Sequence, residues 1–127
     1  MSGPEGDTGA MRELAPEAWS EYLDAVSREL LNAEVSIEII TAPDEAQTQA
    51  RHLALQAVCY DYRDDVFEVA AAGGGSHLPA TLRHLVDHPE RIVTDSWTLL
   101  APMTIAVDGR DGVRTVVRIA RDPDFVG

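Results

Sequence analysis

Lysine is missing altogether. All ten basic residues of this 127-residue chain are arginine, which removes Schiff-base chemistry and the lysine-dependent phosphate loop from the activities open to it. With its alanine, valine and aspartate content, an arginine-only basic set fits the coding bias of a GC-rich bacterium. Cysteine is nearly as scarce. Cys59 is the only one, so no intramolecular disulfide can form, and a reducing compartment, the cytoplasm, is expected. Long apolar runs are absent too: stretches such as Val69 to Ala72 and Leu99 to Ala101 fall far short of the ~20 residues a membrane helix needs. The opening MSGPEGDTGA has neither the basic start nor the apolar stretch of a secretory signal.

What the chain has in excess is carboxylate. Net charge is −12, and residues 1–68 hold 15 carboxylates against 4 arginines while residues 69–127 hold 7 against 6. The negative field therefore belongs to the first half. Nucleic acid is a poor partner for such a surface, because binding requires phosphate charge to be neutralised. A basic protein patch or a cation is the electrostatically reasonable partner, and a charge that only keeps the domain soluble is the plain alternative.

Length suggests one domain. Residues 1–13, rich in glycine, proline and acid, are expected to be a disordered extension, with Met11 a candidate start. Residues 14–122 are expected to form the globular domain, with 123–127 a tail. Within PEAWSEYLDAVSRELL (16–31), Trp19, Tyr22, Leu23, Val26 and Leu30 recur at helical spacing, which predicts an amphipathic helix. Pro16 suits its first position, Leu14 can staple onto Trp19, and Asn32 can stop it. After Asn32 the apolar period becomes two. EVSIEII (34–40) reads as a strand, Pro43–Gln49 as a polar connection, and Leu53, Leu55, Ala57 and Cys59 as the inward face of a second strand. DYRDD from Asp61 reads as the turn into a third strand beginning at Val66. Gly73–Gly75 open a flexible loop, and a short strand or turn precedes Pro89. A strand follows at Arg91–Thr94, then a final hairpin: Met103, Ile105 and Val107, a turn at Gly109–Gly112, and Val113, Thr115, Val117 and Ile119. The expected fold is α+β: one N-terminal amphipathic helix packed on a bent antiparallel sheet, or small partly open barrel, of about five to six strands.

The order L-x-P-E-x-W-x-x-Y-L-D-x-x-S-R-x-L from Leu14, then V-S-I-E-I-I, Gln49, Y-D-Y-R-D-D-V-F-E-V, R-H-L-V-D-H-P-E-R-I and the terminal D-G-x-R-T-V-V-R-I resembles a family of small acidic bacterial proteins, the domain of unknown function numbered fifty-three thirty-five. The resemblance covers residues 11 to about 121. It implies cytoplasmic location and supplies no activity or site residue. A weaker likeness is to the Sm-like barrel layout, but the acidic balance and missing basic loop argue against RNA binding, and fold likeness alone licenses no function.

Candidate chemistry is sparse. His77, His84 and His88, with Asp87 and Glu90, offer possible metal ligands. On a helix His84 and His88 could share zinc, on a strand they would share a face far apart, and ordinary surface histidines are the simpler reading. Asp61, Asp64 and Asp65 beside Tyr60 and Tyr62 read first as a strand-reversing turn. Cys59 reads as a buried structural thiol, since no base faces it. GGGSH lacks the spacing of a phosphate cradle. Glu13, Glu17 and Glu21 form an uncompensated i, i+4 acidic stripe, and Arg114 and Arg118 point away from the sheet core, so the two could meet in self-association or the stripe could dock a basic partner. The expectation is a non-enzymatic protein-binding or self-assembling acidic domain without cofactor, nucleic acid or membrane. The alternative is a small metal-dependent hydrolase or metal-binding protein using His84, Asp87 and His88 with the Asp61–Asp65 turn.

Overall fold

At Asn32 the apolar period changes, and the backbone changes with it. In the computed structural model, which describes residues 11–42, 45–73, 81–96 and 102–120, a single α-helix precedes almost all of the sheet. The elements run β1 (Arg12–Glu13), a 3-10 turn (Pro16–Ala18), α1 (Trp19–Glu29), β2 (Glu34–Ala42), β3 (Glu45–Asp61), β4 (Val66–Ala72), β5 (Thr81–Asp87), β6 (Pro89–Thr94), β7 (Met103–Gly109) and β8 (Arg114–Ala120). Pro16 opens the 3-10 turn after Ala15, whose ψ of 138° is extended. The α-helix begins three residues later than its apolar spacing predicts and ends two earlier. Asn32, with φ 70°, supplies the left-handed residue that stops it. Trp19, Leu23, Val26 and Leu30 are buried as expected. Leu14 packs beneath Trp19, whose indole N–H donates to the Leu14 carbonyl at 3.2 Å. Among the described residues no helix is long and apolar enough to cross a membrane.

The strand order is β1-β6-β7-β8-β2-β3-β4-β5, and every neighbouring pair is antiparallel. β5 lies at one end and β6 next to the other, yet only His88 separates them in the chain. The sheet must therefore roll until its ends approach. Where they meet, the Arg110 N–H donates to the His88 carbonyl at 3.2 Å, and the His84 ring bonds the Thr115 hydroxyl at 3.1 Å. His88 makes the bend with φ 54°, a left-handed conformation that histidine tolerates better than most residues. Inside the roll, Ile37, Leu55, Phe67, Ile105 and Val117 are fully buried, and α1 packs along β3.

Three expectations require correction. Among the described residues the sheet has eight strands, not five or six, because Arg12–Glu13 pairs with Thr94 and Val93 instead of being disordered, and because residues 81–94 make two strands around His88. The connection expected at Pro43–Gln49 is, from Glu45 onward, the first half of β3, paired with β2. β3 also changes face. A register shift between Leu55 and Ala57 turns Val58 fully inward and leaves Cys59 half-buried, because a bulge displaces the alternation by one residue. Residues 74–80 and 97–101, with His77 and most of the glycine loop, lie outside the described residues, as do 1–10 and 121–127.

Candidate functional site

The solvent side of α1 is set by its buried side. With Trp19, Leu23 and Val26 inward, Glu17, Glu21 and Asp24 come outward at i, i+4 and i+7, all exposed. Glu13 does not join them. It sits on β1, opposite Val93, and pairs with Arg91 at 3.3 Å, because the helical turn starts only after Ala15. The acidic stripe therefore runs Glu17–Glu21–Asp24. Ser20 donates to the Tyr60 carbonyl at 3.2 Å and Trp19 meets the Tyr60 ring edge-on at 5.0 Å, which brings the β3–β4 turn beside the start of the helix. Asp61 and Asp64 are exposed there, and Tyr62 is 70% exposed. The Asp61 carboxylate accepts the Arg63 N–H at 2.9 Å, the local bond that lets an aspartate reverse a strand.

Cys59 lies within this acidic surface. Burial, then Glu68, Asp24 and Asp61 in turn, push its thiol above the ordinary value, with Arg83 opposing. A thiol so placed is held protonated and is a poor nucleophile. Glu68 is itself bonded by Arg83 at 2.6 Å.

The arginines expected to receive the acidic helix are already engaged. Arg114 stands opposite Asp108 on β7 and binds it through two nitrogens, at 2.6 and 3.0 Å. Arg118 reaches diagonally from β8 to Glu38 at 2.8 Å. Their outward orientation is as the alternation requires, but each meets a carboxylate of its own sheet. Among the described residues no ion pair joins Glu17, Glu21 or Asp24 to any arginine.

The histidine segment separates. Being a strand, β5 turns His84 inward to Thr115 and leaves Asp87 exposed on the other face, so His84, Asp87 and His88 do not converge. Among the described residues no group of three or more His, Cys, Asp or Glu could hold a metal ion. His88 instead meets the aspartate turn. Its Nδ1 lies 2.9 Å from Asp65 Oδ2, its N–H donates to the Asp65 carbonyl at 2.8 Å, and Tyr60 donates its hydroxyl to Asp65 Oδ1 at 2.7 Å. The bond to His88, then that to Tyr60, holds the Asp65 carboxyl below its usual range. The bond to Asp65 in turn pushes the Tyr60 phenol up to about 12. This Tyr–Asp–His chain clasps the β3–β4 turn to the β5–β6 bend. It has the carboxylate–imidazole half of a nucleophilic triad, but among the described residues the His88 ring bonds Asp65 and no serine, threonine or cysteine hydroxyl or thiol.

Residues 10–125 match the family of unknown function DUF5335. An uncharacterized protein of Aquifex aeolicus (strain VF5) is 29% identical over 110 residues, covering 87% of this chain and 92% of that protein. No solved structure matches. With the family pattern running from before β1 to beyond β8, the chain belongs to the DUF5335 family.

Proposed function

We propose that the chain is a non-enzymatic, cytoplasmic protein-binding domain whose acidic face, made by α1 and the β3–β4 turn, docks a basic partner. The observation that carries this is the contrast in compensation. Among the described residues Glu17, Glu21 and Asp24 stand exposed without an arginine, whereas Arg83, Arg91, Arg114 and Arg118 of the sheet are each paired in place. With these four engaged, another protein is the source of opposite charge we favour for the helix, and a second copy, through arginines such as Arg12 and Arg28 that make no ion pair among the described residues, is the competing one. Exposed Tyr62 beside Asp61 and Asp64 offers the aromatic anchor that interfaces favour, and the net field steers a basic surface toward it.

The test uses the wild-type chain, Glu17→Arg/Glu21→Arg and Arg114→Ala/Arg118→Ala as immobilised baits in host lysate at low salt, with sedimentation of each chain alone. The reading expects a monomer, and a salt-labile partner held by wild type and by the arginine variant but lost by the helix variant. Equal retention by all three baits overturns it. So does wild-type self-association abolished by the arginine changes, which would establish assembly between copies.

A further inference from the structure

One concavity lies apart from the acidic face and the Tyr60–Asp65–His88 clasp, on the outward face of β8, β2 and β3. Val35, Ile37, Val117 and Ile119 are buried, so Ser36 and Arg118 between them turn outward. The two stand directly opposite each other. On the other side of β2 the ladder is irregular. Val35 pairs with Leu53 and Ile37 with Ala50, which leaves Arg51 and His52 together against Ser36. His52, with φ 59°, turns aside to Glu34. Arg51 follows buried Ala50 and is exposed on the Ser36 side. A small side chain, Ser36, therefore has an arginine on each flank.

Both arginines reach one cavity of about 170 Å³, lined also by Ser36, Ile37, Glu38 and Thr48. Neighbouring strands lie about 4.8 Å apart, so the two arginine backbones stand roughly 10 Å apart across Ser36. Their engagement differs. Arg118 gives one nitrogen, Nη1, to Glu38 at 2.8 Å, and Arg51 donates Nη2 to the Thr48 hydroxyl at 3.3 Å. Among the described residues Arg51 makes no ion pair. Two guanidinium groups thus meet one carboxylate here, although the chain has 22 carboxylates for its 10 arginines. The Ser36 and Thr48 hydroxyls add neutral donors. A planar carboxylate is served by a single guanidinium fork. Donors arriving from two outer strands, with a serine between them, suit a tetrahedral oxyanion. At about 0.15 M salt the wider negative field is screened beyond about 8 Å, so these near charges decide.

We propose that this cavity binds a phosphate group, held between Arg51 and Arg118 over Ser36. The site is independent of the acidic helix face. The full chain, labelled with nitrogen-15, is titrated at constant ionic strength with inorganic phosphate as a free anion. Nα-acetyl-O-phosphoserine methylamide serves as the protein-borne one, and sodium acetate as the planar control. Saturable shifts confined to the amides of residues 36–38, 48–52 and 117–119, and to the Nε–H groups of Arg51 and Arg118, are expected with phosphate and absent with acetate. Binding of the ester no tighter than that of inorganic phosphate identifies a free phosphate as the ligand. Tighter binding of the ester identifies a phosphorylated side chain of a partner. Arg51→Gln should weaken binding about fivefold or more. Glu38→Gln should tighten it about threefold, because it frees Arg118 Nη1 and removes the opposing charge. Glu90→Gln, which takes the same charge from an exposed position on β6, should leave it unchanged. Shifts that do not saturate, that acetate reproduces, that survive Arg51→Gln or that Glu38→Gln weakens overturn the proposal.

Discussion

Apart from β1, the part of β6 that β1 leaves unpaired and the first half of β3, which extends past β4, two strand edges of the rolled sheet lack a neighbouring strand among the described residues. The chain treats them differently. The second half of β3 passes beyond the reach of β2. Its backbone is met instead by the helix and its C-terminal turn. The Asn32 N–H and the Ala33 carbonyl bond both polar groups of Leu55 at 2.8 Å each. Ser27 donates to the Val58 carbonyl at 2.7 Å and accepts the Val58 N–H at 2.8 Å. Ser20 reaches the Tyr60 carbonyl. Two serines seven residues apart, one helical face, thus replace a strand. The far edge of β5 has no such cover among the described residues. Exposed Arg83 and Asp87 are the charges that blunt this open edge. A covered edge contributes stability, and an uncovered one has to be blunted by charge.

The comparison breaks most completely if the helix is loosened from β3. Leu23 is fully buried, so Leu23→Ala should cost about 2–5 kcal/mol, read as a drop in the urea midpoint. Amide exchange at Val58 and Tyr60 should rise sooner than at Val86. A change of under about 1 kcal/mol would mean that α1 is not integral to the core. Next in size is Ser27→Ala, which strips partners from both backbone groups of Val58 without opening a large cavity. It should cost about 1–3 kcal/mol, and Ser20→Ala, which removes one longer bond, about 0.5–1.5 kcal/mol. If the two serine changes cost the same, the seal is not made by these bonds.

The core face of α1 was legible because apolar spacing of 3.6 has few other meanings. Ser20 and Ser27 were not, since a serine on a helix reads as merely polar and Ser27 bonds a strand residue 31 positions away. The inward face of β3 misled for a local reason: a bulge exchanges the two faces, and nothing in LQAVCY marks where it falls. Glu17 and Glu21 could be placed from spacing alone, whereas assigning Glu13 to the helix ignored the proline that sets its start. The aspartate turn and the histidine segment both stood out. Their meeting, Asp65 with His88 across 23 residues, depends on the rolling of the whole sheet.

Acid offers the finest discrimination, because one region is fastened by neutral serines and the other by carboxylates. Asp65 has a folded-state pKa below its ordinary 3.8, and that of Asp108, held down by Arg114, is likewise lowered. A depressed carboxylate contributes stability above its unfolded pKa and loses it as pH falls through the folded value. The junction of β5 and β6 should therefore weaken below about pH 4. Tyr60 behaves oppositely. Its raised value stabilises the protonated phenol, so that contribution is intact below about pH 10 and is lost as pH climbs through about 12. Asp65 has φ 56°; Asp65→Asn can keep that left-handed backbone but cannot titrate, so its loss of stability between about pH 5 and 2 should be shallower than that of the wild type. Hydrogen exchange followed over the same interval, after correction for intrinsic rates, should show protection at the amides flanking His88 falling first while that at Val58 persists. Simultaneous loss at both places would mean that the clasp and the serine seal open as one unit. The two edges would then differ in chemistry without differing in stability.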